Sequence, residues 1–468
     1  MPDRPTDDTE YLKHSGEDGA RSVVEAESDA GSPTVEIVRH GGTFESFRHR
    51  AYTLFWSGAF VSNTGTWMQA SVIGLLAYGF RHSEADLGLV TFVSQIPSLF
   101  LALPGGVLAD RVDKRRLIIW AQVFLMFQAI AFGALYVTGN LSASTPIASL
   151  AWVSFLGLIA GVLTSLSFPA WQAILPDLVP RPVLLNAIAL NSAQFQSARM
   201  LGPVAAFGVM LVAGSAAGMA DVFWINAISF LFVIGALLAV RVPPHAPEKH
   251  TDVAREGVWT SLKEGVRYAA GHRMIGIVIL STAIMTFVGM PYVFLMPAVA
   301  EKVLGYHGVA AYTPINYILL TANGFGALLG ALTVASLPQS IRRERLMRWT
   351  ILATAVVLVV FAFTPWLWLS IVLSSLAGAC VLTTNSLANT SVQANVPHRL
   401  RGRVMSVYIM GFLGIMPLSA AAFGPLAQAI GTSFAIAGGA LVLLVWAVVL
   451  IARPSLLTHA ETETDGER

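Results

Sequence analysis

The sequence has little charge: only 12% of its 468 residues are Asp, Glu, Lys or Arg. Soluble proteins carry about 25% charged residues, so most of this chain has to face lipid or lie inside a membrane bundle. The mean hydropathy of +0.66 agrees with that placement. The net charge of +2 excludes the strongly basic face that a nucleic-acid partner needs. We therefore expect a protein of the lipid bilayer with no nucleic-acid partner.

Motifs for covalent or metal chemistry are also missing. The single cysteine, Cys380, lies within an apolar run, so neither an internal disulfide nor a zinc cluster is expected. There is no Gly-x-x-x-x-Gly-Lys-Ser/Thr phosphate loop and no His-Glu-x-x-His pair, which argues against nucleotide hydrolysis and against a metallohydrolase. An integral-membrane enzyme acting on lipids would need a nucleophile–base set at one membrane depth, and none is apparent. We expect no enzyme activity and no cofactor.

The first 45 residues differ sharply from the rest. Residues 1–45 are rich in Asp, Glu, Ser and Gly and poor in aromatics, and no secretory signal peptide is visible. Such a composition buries too little apolar surface to fold. We predict a disordered cytoplasmic tail, inert rather than regulatory.

From residue 52 onward, apolar runs long enough to cross a bilayer recur twelve times. They lie near 52–80, 86–108, 117–138, 148–172, 186–213, 220–240, 274–299, 312–337, 347–364, 366–392, 404–429 and 432–452. The loops after every second run hold most of the cations, among them Lys114, Arg115, Arg116, Arg181, Lys249, Arg255, Lys263, Arg267, Arg342, Arg343, Arg345, Arg399, Arg401 and Arg403. The other loops offer only Arg81 and Lys302. Because basic loops stay in the cytoplasm, we expect twelve transmembrane helices with both termini cytoplasmic, in the cell (inner/plasma) membrane.

A longer segment divides the chain into two halves. Residues 241–272 contain helix-stopping prolines and then apolar residues at helical spacing, which predicts a cytoplasmic linker with an amphipathic helix. It joins a six-helix bundle at 46–240 to a second at 273–453, followed by a cytoplasmic tail at 454–468. Three short phrases repeat in order at offsets of 221, 222 and 229 residues: Gln172–Pro176 with Gln393–Pro397, Gly202-Pro203 with Gly424-Pro425, and Arg116–Trp120 with Arg345–Trp349. The fold class is therefore all-α integral membrane, with two pseudo-symmetric six-helix bundles.

The connection between the second and third runs carries a recognisable motif. Gly106-Val-Leu-Ala-Asp110-Arg111-Val-Asp113-Lys114-Arg115 resembles the loop signature of the major facilitator superfamily, Gly-x-x-x-Asp-Arg-x-Gly-Arg-Arg, with Asp113 in place of the second glycine. Phrases at 178–187 and 396–404 resemble the branch that contains the enterobactin exporter and macrolide efflux proteins. The resemblance implies the major facilitator fold and export of siderophore-like or antibiotic-like compounds.

The charges of this motif suggest a gate. The carboxylate of Asp110 can contact Arg111, a neighbouring cation or the amino end of a helix near Arg403. Such contacts form when the cytoplasmic mouth of the transporter is closed and break when it opens. We predict a latch worth about 1–3 kcal/mol between two states. Its residues are Gly106, Asp110, Arg111, Lys114, Arg115 and Arg116. The alternative is a topology anchor with no switching role.

Polar residues inside the runs predict a wet cavity. Arg199 falls near the middle of the fifth run, and an arginine facing lipid there costs at least about 3 kcal/mol. It should therefore face the interior, either lining the cavity for an anionic or oxygen-rich substrate or tied to polar groups of its own half. The candidate cavity residues are Asn63, Trp67, Asn191, Gln196, Arg199, Asn385, Asn389 and Gln393, with Tyr292, Phe294, Asn316 and Asn323 as weaker candidates. Interhelical hydrogen bonding is the alternative for each amide.

Two further features bear on mechanism. Gly202 and Pro203 partly match the glycine-proline motif of antiporters, and the proline predicts a kink in the fifth helix. No Asp, Glu or His lies at mid-membrane, so a coupling proton would be carried by Asp110, Asp221 or Glu301.

Together these features predict a monomeric secondary transporter working by alternating access, which exports a small amphipathic or hydrophobic compound. Two alternatives remain: uptake or flipping of a nutrient or lipid-like solute, and a non-transporting membrane sensor.

Overall fold

A computed structural model describes residues 22–26, 34–38, 42–240, 258–338 and 342–457. Two short strands, β1 (Ser22–Ala26) and β2 (Thr34–Val38), precede the helices. The first-half helices are α1 (Arg50–Gly79), α2 (Glu84–Arg111), α3 (Lys114–Val137), α4 (Pro146–Ala173), α5 (Leu184–Ala213) and α6 (Ser215–Ala239). Then come α7 (Val258–Gly271), α8 (Arg273–Gly289), α9 (Pro291–Phe294), α10 (Met296–Ala298), α11 (Val309–Ala335), α12 (Arg343–Phe363), α13 (Leu367–Asn395), α14 (His398–Ile409), α15 (Ile415–Ile430) and α16 (Thr432–Ala452).

The long helices have the length and composition of membrane spans. In the described part of the chain, ten helical segments are long and apolar enough to cross a bilayer, from α3 to α6 and from α8 to α16. Helices α1 and α2 are as long, at 30 and 28 residues, and pack among them. The apolar run of α1 is diluted by Asn63 and Gln69, whose side chains hydrogen-bond to Gln194 on α5 and Gln128 on α3 inside the bundle. The described residues thus contain twelve long helical segments.

The helices form two bundles that meet along two helix pairs. Within the first half α1 packs on α5 and α6, and α2 on α4; within the second, α11 packs on α13, and α12 on α13 and α16. Across the halves α2 packs on α15, and α5 on α11. Small residues allow these crossings: a Cβ added at Gly88 would lie 2.7 Å from Gly424 Cα, and one at Gly324 would lie 2.7 Å from Met200 Cα.

The sequence repeats fall at matching places in the two halves. Gln172 and Gln393 lie at the ends of α4 and α13, Arg116 and Arg345 at the starts of α3 and α12, and Gly202 and Gly424 inside α5 and α15. Two spans are less regular than expected. The seventh ends as a regular helix at Gly289, because prolines follow at 291 and 297, and closes in a π turn at Val299–Val303. The eleventh starts earlier, at His398, and is interrupted by a π turn at Met410–Gly414.

The segments outside the bundles differ in part from expectation. Where we predict a disordered tail, β1 and β2 form an antiparallel pair with Ser22 opposite Val38. The reason is composition: both stretches are rich in β-branched residues, which favour strands. In the linker, 241–257 lie outside the described residues, and α7 forms as expected from the apolar spacing. The final tail begins with a 3₁₀ turn at Pro454–Leu456, and Leu457 packs into the core at 2% exposure.

The alternating helices give the bundle two ends. The signature end contains the connections at 112–113, 174–183 and 396–397, together with residues 336–338 and 342 that flank α11 and α12. The closed end contains the connections at 80–83, 138–145, 304–308, 364–366 and 431. Residues 214 and 290–303 also lie toward the closed end.

Candidate functional site

Arg199 joins the two halves at the centre of the bundle. It lies halfway along α5, and its guanidinium donates a hydrogen bond to Asn323 Oδ1 on α11 at 3.0 Å. The guanidinium carbon lies 5.5 Å from the ring centroid of Trp67 on α1, within cation–π range. Arg199 as a residue is intermediate between buried and exposed. No carboxylate within ion-pair distance of Arg199 is found in the described part of the protein.

Asn323 is the centre of a short polar chain. Its side-chain amide donates to the hydroxyl of Tyr292, on α9, at 2.6 Å, and to the carbonyl of Ser374, on α13, at 3.3 Å. The Arg199 guanidinium completes the set. One buried asparagine therefore ties three helical segments of the second half to a cation of the first. The alternative interpretation of Arg199 was a bond to polar groups of its own half. The hydrogen bond from Arg199 to Asn323 instead joins the two halves.

Gly202 sets the position of Arg199 and Trp67. A Cβ at Gly202 would clash with the Cβ and backbone of Trp67, so only glycine lets α5 and α1 approach this closely. The Trp67 and Phe195 rings meet edge to face at 5.9 Å between centroids. Pro203 is buried inside α5, which continues unbroken to Ala213. The kink at Pro203 stays a prediction.

An apolar cavity of about 590 Å³ lies beside this network, between α5, α11 and α13. Met200, next to Arg199, lines it together with Phe207, Tyr317 and Phe325. Leu376, also in the lining, is 46% exposed, so the cavity opens at the lipid-facing side of the junction between halves. A cation beside an apolar cavity is suited to a compound with one charged or oxygen-rich part and one hydrophobic part.

The other predicted cavity residues fall into two groups. Asn63 donates to Gln194 Oε1 at 3.4 Å, and Gln196 has a buried Oε1 without a partner in the described chain. Asn191 is half-buried on α5. On α13, Gln393 is exposed and donates to Asn389 at 3.0 Å, while Asn385 is buried. The α13 stripe runs toward the signature end, and within the described residues none of it hydrogen-bonds to Arg199.

The described hydrogen bonds of the signature residues stay within their own half. Lys114 Nζ donates to the Ala173 carbonyl at 3.1 Å and lies 3.5 Å from Asp177, while Arg115 donates to the Leu238 carbonyl at 3.1 Å. Asp113 has φ −60° and accepts from the Arg116 N–H, so it caps α3 where the family pattern has glycine. Arg111 and Arg116 are exposed, and Gly106 has open space around it. The side chain of Asp110 lies outside what the structure describes, so the latch stays a prediction.

The closed end holds an inter-half cluster that the sequence analysis missed. Glu84, fully buried on α2, accepts from Lys302 Nζ at 2.7 and 2.8 Å and from the Thr432 hydroxyl at 2.7 Å. Its backbone N–H donates to Gln428 at 3.0 Å. The only signal in the sequence was the position of Glu84 and Lys302 at the ends of spans. Their separation of 218 residues gave no indication that they pair.

A second carboxylate crosses in the opposite direction. Glu301, in the π turn of the second half, accepts from the Tyr78 hydroxyl at 2.7 Å and lies 2.9 Å from His82 Nδ1, both in the first half. His82 adopts φ +51°, a left-handed conformation that costs a non-glycine residue about 1–2 kcal/mol. The Tyr312 ring packs edge to face on both Tyr78 and His82. Each half thus supplies one carboxylate to the other at this end.

Two bundles joined across a central cation and closed at one end define a transporter of the major facilitator type. Comparison with known proteins agrees. The family model described as transmembrane secretion effector matches residues 41–465, and the chain belongs to that family.

Curated relatives include the enterobactin exporter EntS of Citrobacter koseri and of Escherichia coli O1:K1, each 25% identical over 360 residues, or 77% of this chain and 81% of theirs. Similar solved folds include the inward-open xylose transporter XylE from E. coli, with a TM-score of 0.64 at 13% identity, covering 89% of this chain and 98% of that one. The nucleoside transporter NupG has a TM-score of 0.61 at 14% identity, covering 86% of this chain and 98% of that one. The chain therefore has the major facilitator fold and is a membrane transporter, not an enzyme.

Proposed function

We propose that this protein exports a small amphipathic compound with an anionic or oxygen-rich part, of the siderophore-like or drug-like class, by alternating access. The observation that carries the proposal is Arg199, a cation at the centre of the bundle that has no carboxylate partner among the described residues. A cation withdrawn from bulk water favours an anionic partner. The adjoining cavity at Met200 and Phe325 suits the apolar part of such a compound.

The relatives support the direction and class of this proposal. EntS is named as an enterobactin exporter and aligns over most of both chains. The polar α13 stripe at Asn385, Asn389 and Gln393 would give a substrate a path from the signature end to Arg199. We also propose that a coupling proton drives export and that the protein acts as a monomer.

The orientation follows from the charge of the loops. Basic residues concentrate at the signature end, at Lys114, Arg115, Arg181 and Arg342 among others. We place that end and both termini in the cytoplasm of the cell inner membrane. The inter-half bonds of Glu84 and Glu301 all lie at the other end, so this conformation would be open to the cytoplasm.

The test is binding and export of enterobactin by the purified protein. Arg199→Gln should weaken enterobactin binding at least about tenfold, because a charge-assisted hydrogen bond contributes about 1.5–3 kcal/mol. The matched control is Arg181→Gln, which removes an exposed cation at the signature end and should leave binding unchanged. Equal binding by wild type and Arg199→Gln, with only thermal stability altered, would contradict the cavity role.

Export in proteoliposomes tests the two alternatives. Uptake or flipping predicts net movement toward the signature end, and export predicts movement toward the closed end, so vesicles sorted by orientation separate them. The sensor alternative predicts a partner for residues 1–45. Continued enterobactin flux after deletion of those residues would remove the sensor alternative.

A further inference from the structure

The two carboxylates at the closed end have different kinds of partner. Glu84 is fully buried and faces a cation, Lys302, at 2.7 Å, so its charge is compensated in place. Glu301 has no lysine or arginine within ion-pair distance among the described residues; its partners are the Tyr78 hydroxyl and the His82 ring. A carboxylate held by hydroxyl and imidazole donors depends on those bonds to stay ionised. Both donors belong to the opposite half.

The state of Glu301 is therefore linked to closure. Burial raises the pKa of Glu301, but the hydrogen bonds from Tyr78 and His82 outweigh burial and hold the pKa below its ordinary value. Ionised Glu301 thus stabilises the closed end at pH values above the ordinary carboxylate pKa. That contribution is lost as the pH falls through the lowered value. Parting of the halves at this end removes both donors and favours proton uptake.

A buried polar row leads from Glu301 toward Arg199. On α11, Tyr312 and Thr313 lie beside the closed-end cluster, Asn316 follows one turn further, and Asn323 two turns beyond it. The Tyr312 and Thr313 hydroxyls and both amide atoms of Asn316 are buried without a partner in the described chain. Buried polar atoms without protein partners are satisfied by ordered water in most proteins. Asn323 ends the row at Arg199.

We propose that Glu301 binds the coupling proton of the transport cycle and that the polar face of α11 carries that proton to the polar network around Arg199. The inference rests on the proposed proton-driven export and names its proton site. When the closed end parts, a proton from the outer solution binds Glu301 Oε2. When the halves meet again, Tyr78 and His82 donate to that oxygen, and the proton leaves past Tyr312 and Asn316.

Other charged groups near Glu301 are accounted for. Tyr78 and His82 face it from the first half, and Tyr312 from α11. Lys302 is the next residue but points to Glu84, which takes up its charge. Among the described residues of the closed-end cluster, Glu84 is paired with a lysine and Glu301 is not paired with a lysine or arginine.

Spin-label distances across the closed end test the proton site. Labels at Ala143→Cys and Pro365→Cys, on exposed loops of opposite halves in a Cys380→Ser background, report its opening in the full-length protein in nanodiscs. In the wild type the open fraction should rise as the pH falls from about 6 to about 3, because a carboxylate whose pKa is held below its ordinary value of about 4.3 takes up its proton in that range. Glu301→Gln should raise the open-to-closed ratio at the higher pH at least about tenfold and remove most of the pH response. Tyr78→Phe, which keeps the carboxylate, should shift the response to higher pH without abolishing it.

A matched control keeps the result specific. Asp86→Asn removes a carboxylate at the same end that pairs with Arg81 within one half, and it should keep the wild-type pH response. A Glu301→Gln protein that titrates like the wild type would overturn the inference, as would a wild type whose closed-end distance ignores pH.

The α11 row has its own test. Asn316→Leu should keep the pH-dependent opening but slow proton movement at least about tenfold, measured with a pH dye inside proteoliposomes during enterobactin transport. Ile315→Leu, a volume-conserving change at the neighbouring position, is the control. Proton movement at the wild-type rate in Asn316→Leu would overturn the route.

Enterobactin export whose rate does not depend on the pH gradient would contradict proton coupling at Glu301 and leave the proposed export standing. Intact pH-driven opening without enterobactin binding would contradict the proposed substrate alone.

Discussion

The two ends of the bundle are built differently. At the closed end, each half presents a carboxylate to the other, Glu84 to Lys302 and Glu301 to Tyr78. At the signature end, the described cations Lys114 and Arg115 bind carbonyls of their own half. Bonds that cross the halves are broken by a rocking motion, whereas bonds within a half travel with it. The carboxylate bonds at the closed end therefore stabilise this conformation, whereas the bonds of Lys114 and Arg115 do not hold the two halves together.

Of the changes considered, removing Lys302 should have the largest effect, because it breaks the ion pair that joins the two halves at the closed end. Lys302→Met leaves the fully buried Glu84 carboxylate with the Thr432 hydroxyl as its one remaining hydrogen-bond donor among the described residues. Loss of one partner of a buried ion pair costs about 3–5 kcal/mol, and we expect about 3 because Lys302 itself is partly exposed. Thermal unfolding in detergent measures it. The control Arg81→Met breaks a half-exposed pair within one half and should cost under about 1 kcal/mol. Equal losses in the two variants would remove the distinction.

Filling the α2–α15 crossing should open the same end by sterics alone. Gly88→Val puts side-chain atoms where Gly424 Cα lies, so the halves have to separate, at a cost of about 1–3 kcal/mol to the closed conformation. The spin-label distance between Ala143→Cys and Pro365→Cys should lengthen. Gly74→Ala, where a Cβ meets open space on α1, is the control. An unchanged distance would show that the crossing is not part of the closure.

The latch at the signature end gives a smaller, kinetic prediction. Asp110→Asn should lower the transport rate about tenfold, corresponding to a loss of about 1.4 kcal/mol from the opposite conformation, with membrane insertion unaffected. Its closed-end distances should match the wild type, because the latch forms only after the signature end closes. Wild-type turnover in Asp110→Asn would leave the motif as a topology anchor.

The smallest effect belongs to the linker helix. Glu264 on α7 forms an ion pair with Arg403 on α14, and Gly265 packs against the Arg403 backbone. Glu264 is 43% exposed, so Glu264→Gln should cost under about 1 kcal/mol and leave both ends unchanged. Hydrogen exchange in α7 reports the change. Loss of transport in this variant would give the linker a role beyond packing.

The amino-acid sequence predicted those features for which placing a single residue in the wrong environment costs a large free energy. Each span is visible because apolar residues avoid water, and the inward placement of Arg199 follows from the cost of a cation in lipid. The two paired strands at Ser22–Ala26 and Thr34–Val38 were not predicted, because the charge of residues 1–45 outweighed two short β-branched stretches. The closed end was missed for a different reason. Pairs such as Glu301 with Tyr78 join short polar segments 223 residues apart, and no local pattern encodes them.

The repeat illustrates the same limit. Gly202 and Gly424 were found as a repeat, and Gly202 with Pro203 was interpreted as a kink motif. In the structure both glycines also allow close packing, against Trp67 and Gly88. The residue type was predictable, since only glycine permits such an approach. The neighbour was not, because it depends on how two helices from distant parts of the chain cross.

The central claim is that the two ends open alternately, and paired distances in one protein test it most directly. Labels at Ala143 and Pro365 follow the closed end, and labels at Arg181 and Arg399, all exposed, follow the signature end. In Gly88→Val the closed-end distance should lengthen while the signature-end distance shortens. If both distances lengthen together, or the signature end does not respond, the halves do not rock about a shared cavity and the account is contradicted.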